Sequence, residues 1–292
     1  MKIKNEALLR LIGLIKTVYD FFMRGTRHRI GAYAAQASFF IIISIVPFVM
    51  FLLSVSKFIL YYFAAIDEVY LLEQVNSFIP ASLAGYVEDM LYEVFRNSSG
   101  ISYITAATAL WLSSRGLMAL YQGVCNVLDD GVQRSYVYAR AVSVLYTLLM
   151  VIMLVLTVVV FGVGGKTITA LLTKLNFLNA HILGLLKLKE VIYFVVLTLF
   201  FTSFYRVMPR SSAKFKDLLP GAVLAAAGWV IFSWGYSIYA SHSSYASIYG
   251  SLTSLVLLSL WLYFCMNILL YGAEFNHALQ TGFIELPWKK KS

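Results

Sequence analysis

Six apolar stretches, each near or above twenty residues and parted by short charged segments, constrain this chain more than any other feature. They run Ile30 to Leu60, Ile101 to Val124, Ala139 to Val163, Val191 to Val207, Leu218 to Ala240 and Ile248 to Leu279. A helix that crosses a bilayer needs about twenty predominantly apolar residues. With 60% of 292 residues apolar and 13% charged, a soluble domain of this makeup would lack the polar surface to stay dispersed. The expected fold is therefore all-α: a polytopic integral membrane protein of six transmembrane helices in one membrane domain. Residues 1–29 are expected to form an interfacial helix, 30–279 the bundle with an outer segment over 61–100, and 280–292 a tail. The first apolar stretch is too long for a secretory h-region and sits behind a long N-terminal segment, so no cleaved signal is expected. Cys125 and Cys265 lie in or at the edge of spans and read as small buried hydrophobes.

Charge between the spans sets an orientation, because cytoplasmic loops carry the excess of Lys and Arg. Lys2, Lys4, Arg10, Lys16, Arg24, Arg27 and Arg29 precede the first span, against Glu6 and Asp20. Both termini are expected in the cytoplasm, which suits Lys289, Lys290 and Lys291 at the end and Arg206, Arg210, Lys214 and Lys216 in the fourth loop. The first loop, with Asp67, Glu68, Glu73, Glu88, Asp89 and Glu93, suits the outside. The third loop argues back, holding Lys166, Lys174, Lys187 and Lys189 against Glu190. Leu8, Leu11, Ile12, Ile15, Val18, Tyr19 and Phe22 recur at helical spacing among basic residues, as in an amphipathic helix on a membrane surface. The net charge of +9 then points to membrane lipids, and to anionic headgroups among them, as partners; nucleic acid is not needed to explain it. In the outer segment, Pro80 opens a helical pattern carried by Leu83, Val87, Met90, Leu91, Val94 and Phe95.

Polar groups inside apolar spans each need a partner or a purpose, since a charge at the helix centre costs about 2.5–3.5 kcal/mol on insertion scales. Gln36 and Ser38 stand in the first span among small residues, and Pro47 interrupts the same helix. Ser114 and Arg115 lie in the second, Arg115 about 21 Å from its start at Ile101. Glu274 comes late in the sixth, with Arg115 and Arg206 as its candidate partners. Asn126, Asn267 and Asn276 read as interhelical hydrogen-bond formers. Gly221, Gly228 and Gly235 repeat every seven residues on the fifth span, a stripe expected to face one neighbour at close range. Trp229 and Trp234 place indole N–H groups inside the same span.

The stretch Gln36 to Pro47, the run Trp111-Leu112-Ser113-Ser114-Arg115-Gly116 leading to Asn126 and Arg134, and Tyr205-Arg206-Val207-Met208-Pro209 recur in one order with later motifs. Those are Gly221-Ala222, Trp229, Ile248 to Leu252, Trp261-Leu262-Tyr263 and Gly272-Ala273-Glu274. Together, from about residue 20 to 280, they resemble the YihY/BrkB family of bacterial inner-membrane proteins. Gln36 departs from the apolar or small residue often found there, and the charged C-terminal extension of some members is almost absent. The resemblance implies a six-helix, multi-pass protein of the bacterial cytoplasmic membrane. Members have been labelled ribonuclease BN, linked to serum resistance, or connected with moving lipid or lipopolysaccharide precursors.

The residues weigh against an enzyme. His28, His181, His242 and His277 are scattered without metal-ligand spacing, and no paired carboxylates, phosphate loop or Ser-His constellation stands out. No catalytic residue, metal or cofactor is expected, and nothing in the chain signals an oligomeric state. Two non-enzymatic readings stay open: a transporter or flippase for a lipid or amphipathic anion, using the polar residues as a path, and a structural or assembly factor of the envelope, using them to hold helices together.

Overall fold

A computed structural model describes residues 2–44, 103–128, 134–157, 189–210, 213–242 and 251–284. Among these the regular structure is wholly helical. The helices are α1 (Lys2–Arg27), α2 (Ile30–Ser44), α3 (Tyr103–Leu128), α4 (Tyr136–Thr157), α5 (Lys189–Val207), α6 (Phe215–His242) and α7 (Ser251–Gln280). Pro47, the outer segment 61–100 and the basic tail 285–292 lie outside the described residues. Two helical stretches are long and apolar enough to cross a membrane, Phe215–Tyr239 and Leu255–Gln280, and three shorter apolar ones are Ile30–Ser44, Tyr136–Met150 and Val191–Val207. The fifth expected span lies within α6, and the described part of the sixth, from Ser251, within α7. The expected second span is one 26-residue helix, but Ser113, Ser114, Arg115, Gln122 and Asn126 dilute its apolar character.

α7 is the hub, packing against α1, α3 and α6; α6 also meets α5, α3 meets α4, and α4 touches α5. The shared core is aromatic and aliphatic, with Tyr121, Phe201, Phe204, Tyr205 and Leu270 fully buried. Outward-facing positions are apolar too: Ile152, Val191, Ile231, Trp234 and Val256 are all exposed. A surface of that kind suits hydrocarbon rather than water.

The α6–α7 seam changes character along its length. At Gly221 an added Cβ would lie 2.1 Å from the Gly272 carbonyl oxygen, so the backbones touch there and only glycine fits. At Gly228 the nearest atom, Ile268 Cγ2, would be 3.0 Å away, and at Gly235 nothing lies within 4 Å. The helices therefore diverge, and of the three glycines expected to face one neighbour, Gly235 meets none. Larger rings fill the widening gap: Trp229 against Trp261, Phe232 against Phe264, and the Tyr236 hydroxyl donating to the Leu257 carbonyl at 2.6 Å. The indole of Trp261 donates to Ser233 Oγ at 3.2 Å, whereas Trp234 is exposed.

α1 bears the expected amphipathic stripe, of which Ile12, Ile15, Val18, Tyr19 and Phe22 are exposed, Phe22 also meeting the Tyr271 ring of α7 at 5.4 Å. The end of α1 docks. Phe21 packs on Tyr271 and Phe275 with ring centroids 5.8 and 6.5 Å away, and a Cβ on Gly25 would fall 2.5 Å from the Tyr271 ring. The chain then reverses through Arg29, which holds a left-handed φ of 54°, and enters α2.

Candidate functional site

The close end of the seam holds a buried carboxylate. Glu274, on α7, is fully buried, and both its oxygens are engaged: Arg24 Nε donates to Oε1 at 2.8 Å, and His28 Nδ1 lies 2.5 Å from Oε2. The His28 carbonyl accepts from Asn126 Nδ2 of α3 at 2.7 Å, and the His28 ring meets His277 edge-on at 5.7 Å. Arg24 is also stacked on Phe283, 4.9 Å from the ring centroid. Arg24 and His28 stand four residues apart, which puts them on one face of the chain as α1 ends. One acid thus ties the turn after α1 to α3 and α7.

A second set of bonds seals the same end. Pro220 interrupts the early turns of α6, and Asn276 of α7 bridges the break, accepting from Gly221 N–H at 2.8 Å and donating to the Leu218 carbonyl at 2.8 Å. Freed backbone groups in a membrane helix need such a replacement. The buried Tyr205 hydroxyl of α5 donates to the Leu269 carbonyl at 2.5 Å, completing a region in which the polar groups named all have partners.

Where α4 packs on α3, the balance is different. Arg140 of α4 is 6% exposed, stacks on the Trp111 ring of α3 at 3.8 Å, and donates from one Nη to the Trp111 carbonyl. That carbonyl also accepts from Ser114 Oγ at 2.8 Å. Arg140 Nε is buried without any hydrogen-bond partner. An orphaned buried donor costs about 1–3 kcal/mol. Arg115, one helical turn from Trp111 and exposed, has Phe40 of α2 as its ring contact, 5.9 Å from the centroid. Among the described residues neither arginine forms an ion pair with an acid.

The profile of the family described as virulence factor BrkB matches residues 21–290. This chain belongs to the BrkB family. Among its relatives, a Bacillus subtilis protein named ribonuclease-like, YfkH, is 28% identical over 89% of this chain and 94% of its own length. A UPF0761 membrane protein of Vibrio vulnificus is 28% identical over 88% of this chain and 80% of its own, and one of Idiomarina loihiensis is 25% identical over 70% of each. No solved structure matches. The resemblance drawn from the motifs is thereby shown, and the family is one of membrane proteins.

In this BrkB-family chain the site residues expected from sequence fall in different places. Glu274 is the centre of the first region, but its partners are Arg24 and His28, not Arg115 or Arg206. Asn126 joins that region through the His28 carbonyl, and Arg206 is half-buried in the last turn of α5. Arg115 and Ser114 belong to the second region. Ser38 is buried and bonds back to Ala34 O at 2.7 Å within its own helix, and Gln36 is exposed. Asn267 likewise bonds within its helix, to Tyr263 O at 2.8 Å. The two cysteines are buried and not joined in a disulfide, and Cys125 Sγ donates to the Met208 carbonyl at 3.6 Å. Among the described residues no three His, Cys, Asp or Glu side chains group as metal ligands. Sequence reasoning missed Arg24, His28 and Arg140. In sequence Arg24 reads as part of a positive flank, and the signal that singles it out is its i, i+4 spacing with His28 opposite one lone acid; Arg140 falls one residue inside the third expected span and is visible as a charge there.

Proposed function

We propose that this BrkB-family protein is a six-span protein of the bacterial cytoplasmic membrane, both termini cytoplasmic, that moves a lipid or an amphipathic anion across or within the bilayer. The observation that carries this reading is Arg115, a cation exposed on the surface of a helix otherwise flanked by apolar faces, with no acidic partner among the described residues. A charge in that position is expensive unless it serves a path or a ligand. The exposed stripe of α1 supports a helix lying on the inner surface of the membrane, where its basic residues meet anionic headgroups. The ribonuclease-like name of the Bacillus relative finds no support in the histidines: His28 is committed to Glu274, and the described ones group with no metal-ligand set.

A second reading, an envelope assembly factor that transports nothing, is favoured by one observation: the Glu274 and Asn276 bonds hold helices together without leaving a group to spare. Translocation of fluorescent phospholipids in proteoliposomes separates the two. Transport by wild type that is lost in a folded Arg115→Ala variant supports the first. No translocation of several headgroups by folded wild type, with an ion gradient imposed, overturns it and leaves the assembly role.

A further inference from the structure

We infer that Arg140, Arg115 and the Trp111 ring form a binding site for a phosphate-bearing anion where α4 packs on α3. The site deepens the transport reading, and what the bound anion does next rests on that reading; the binding itself stands on the geometry. Arg140 is the decisive group. The residue is more than nine-tenths buried, one Nη donates to the Trp111 carbonyl, and the Nε–H is left with no acceptor. A guanidinium carries five N–H donors in a planar fork that matches carboxylate and phosphate oxygens two at a time. Here the fork is held flat by the Trp111 indole at 3.8 Å, so its orientation is fixed before any ligand arrives.

The charge balance points the same way. Two guanidinium groups, one stacked on Trp111 and one carried a helical turn along α3 from it, have no acid paired to either among the described residues. The contrast with Arg24 is internal to the molecule: where this chain needs an arginine only to hold helices, it supplies Glu274. Phosphate fits better than a carboxylate because it can take the Arg140 edge and the Arg115 charge together, and because Arg115, exposed beside Phe40, leaves the approach open from the apolar surface. The same chemistry has two sources, the headgroup of an anionic phospholipid and a free phosphate compound.

The test uses the full chain purified in a neutral detergent, with native mass spectrometry and thermal shift as readouts. The probes are phosphatidylglycerol, phosphatidylcholine as the zwitterionic control, and inorganic phosphate. Retention of phosphatidylglycerol over phosphatidylcholine, weakened about tenfold to hundredfold in Arg140→Gln and in Arg115→Gln and partly restored in Arg140→Lys, assigns the site to a lipid headgroup. The same pattern with inorganic phosphate and not with lipid assigns it to a soluble phosphate compound. Arg115 is exposed, so its variant keeps the test valid should Arg140→Gln fail to fold. Equal retention in wild type and in the folded arginine variants, or no anion preference in wild type, overturns the inference. Binding that depends on Arg140 without any translocation in proteoliposomes would sink the transport reading and keep the site; translocation by a protein whose anion retention ignores both arginines would sink the site and keep transport.

Discussion

Two arginines of this chain sit in opposite circumstances. Arg24 meets a fully buried carboxylate at 2.8 Å, in a region where Glu274, His28, Asn126, Asn276 and Tyr205 all have hydrogen-bond partners. Arg140 is buried, with an Nε–H that no acceptor reaches and no acid paired to it among the described residues. The first arrangement is what a structural tie looks like, since removing water from an ion is tolerable only when a well-placed partner replaces it. The second leaves the protein carrying an unmet cost, which is the mark of a group kept for a ligand rather than for the fold. Within one bundle, satisfaction and its absence separate holding from binding.

The largest effect that would break this contrast is at Glu274. Glu274→Ala leaves Arg24 and His28 without their anion and is expected to destabilise by about 3 kcal/mol or more, read from the unfolding midpoint in detergent. A loss under about 1 kcal/mol would mean that water already serves Arg24 and that the tie is weak. Gly221→Ala comes next. Its Cβ would enter the Gly272 carbonyl, so the helices must part at a cost of about 2–3 kcal/mol, while Gly235→Ala, which meets nothing, is expected to be neutral or stabilising by about 0.5–1 kcal/mol. Equal behaviour of the two glycines would contradict the divergence of α6 and α7. Asn276→Ala strands the Gly221 N–H and the Leu218 carbonyl beside Pro220, with an expected loss of about 2 kcal/mol.

The sign reverses in the second region. Arg140→Met replaces an incompletely partnered buried charge with an apolar chain of similar length, and in a neutral detergent free of anionic lipid it is expected to stabilise by about 1 kcal/mol. Destabilisation of the size seen at Glu274 would place Arg140 among the structural ties instead. The smallest change is Arg29→Gly, at a left-handed φ of 54°, where glycine should raise stability by about 0.5–1 kcal/mol in the same unfolding experiment.

Both regions show how far residue type carries without packing. Glu274 was legible as a group in need of a partner, because a lone acid in an apolar run is costly wherever it sits. Its partners were not, because the basic residues available to it lie throughout the chain and only the docking of α1 on α7 brings Arg24 and His28, some 250 residues away, to its two oxygens. The glycine stripe shows the same limit from the other side. Its seven-residue period fixed which face of α6 carries glycine, but a period says nothing of how fast two axes separate. That is why Gly221 touches backbone and Gly235 faces open space. Arg140 stands near the start of an expected span with no sign in the sequence of its burial, since burial is a property of neighbours and not of position along the chain.

Hydrophobic content and period, together with the order of its motifs, determined an all-helical chain of the BrkB family, because burial of apolar side chains and local backbone bonding depend on residues near one another in sequence. Tertiary structure alone decided which charges are answered: an ion's cost depends on whether an opposite charge lies within hydrogen-bond distance after the helices pack. That distance separates Arg24 from Arg140.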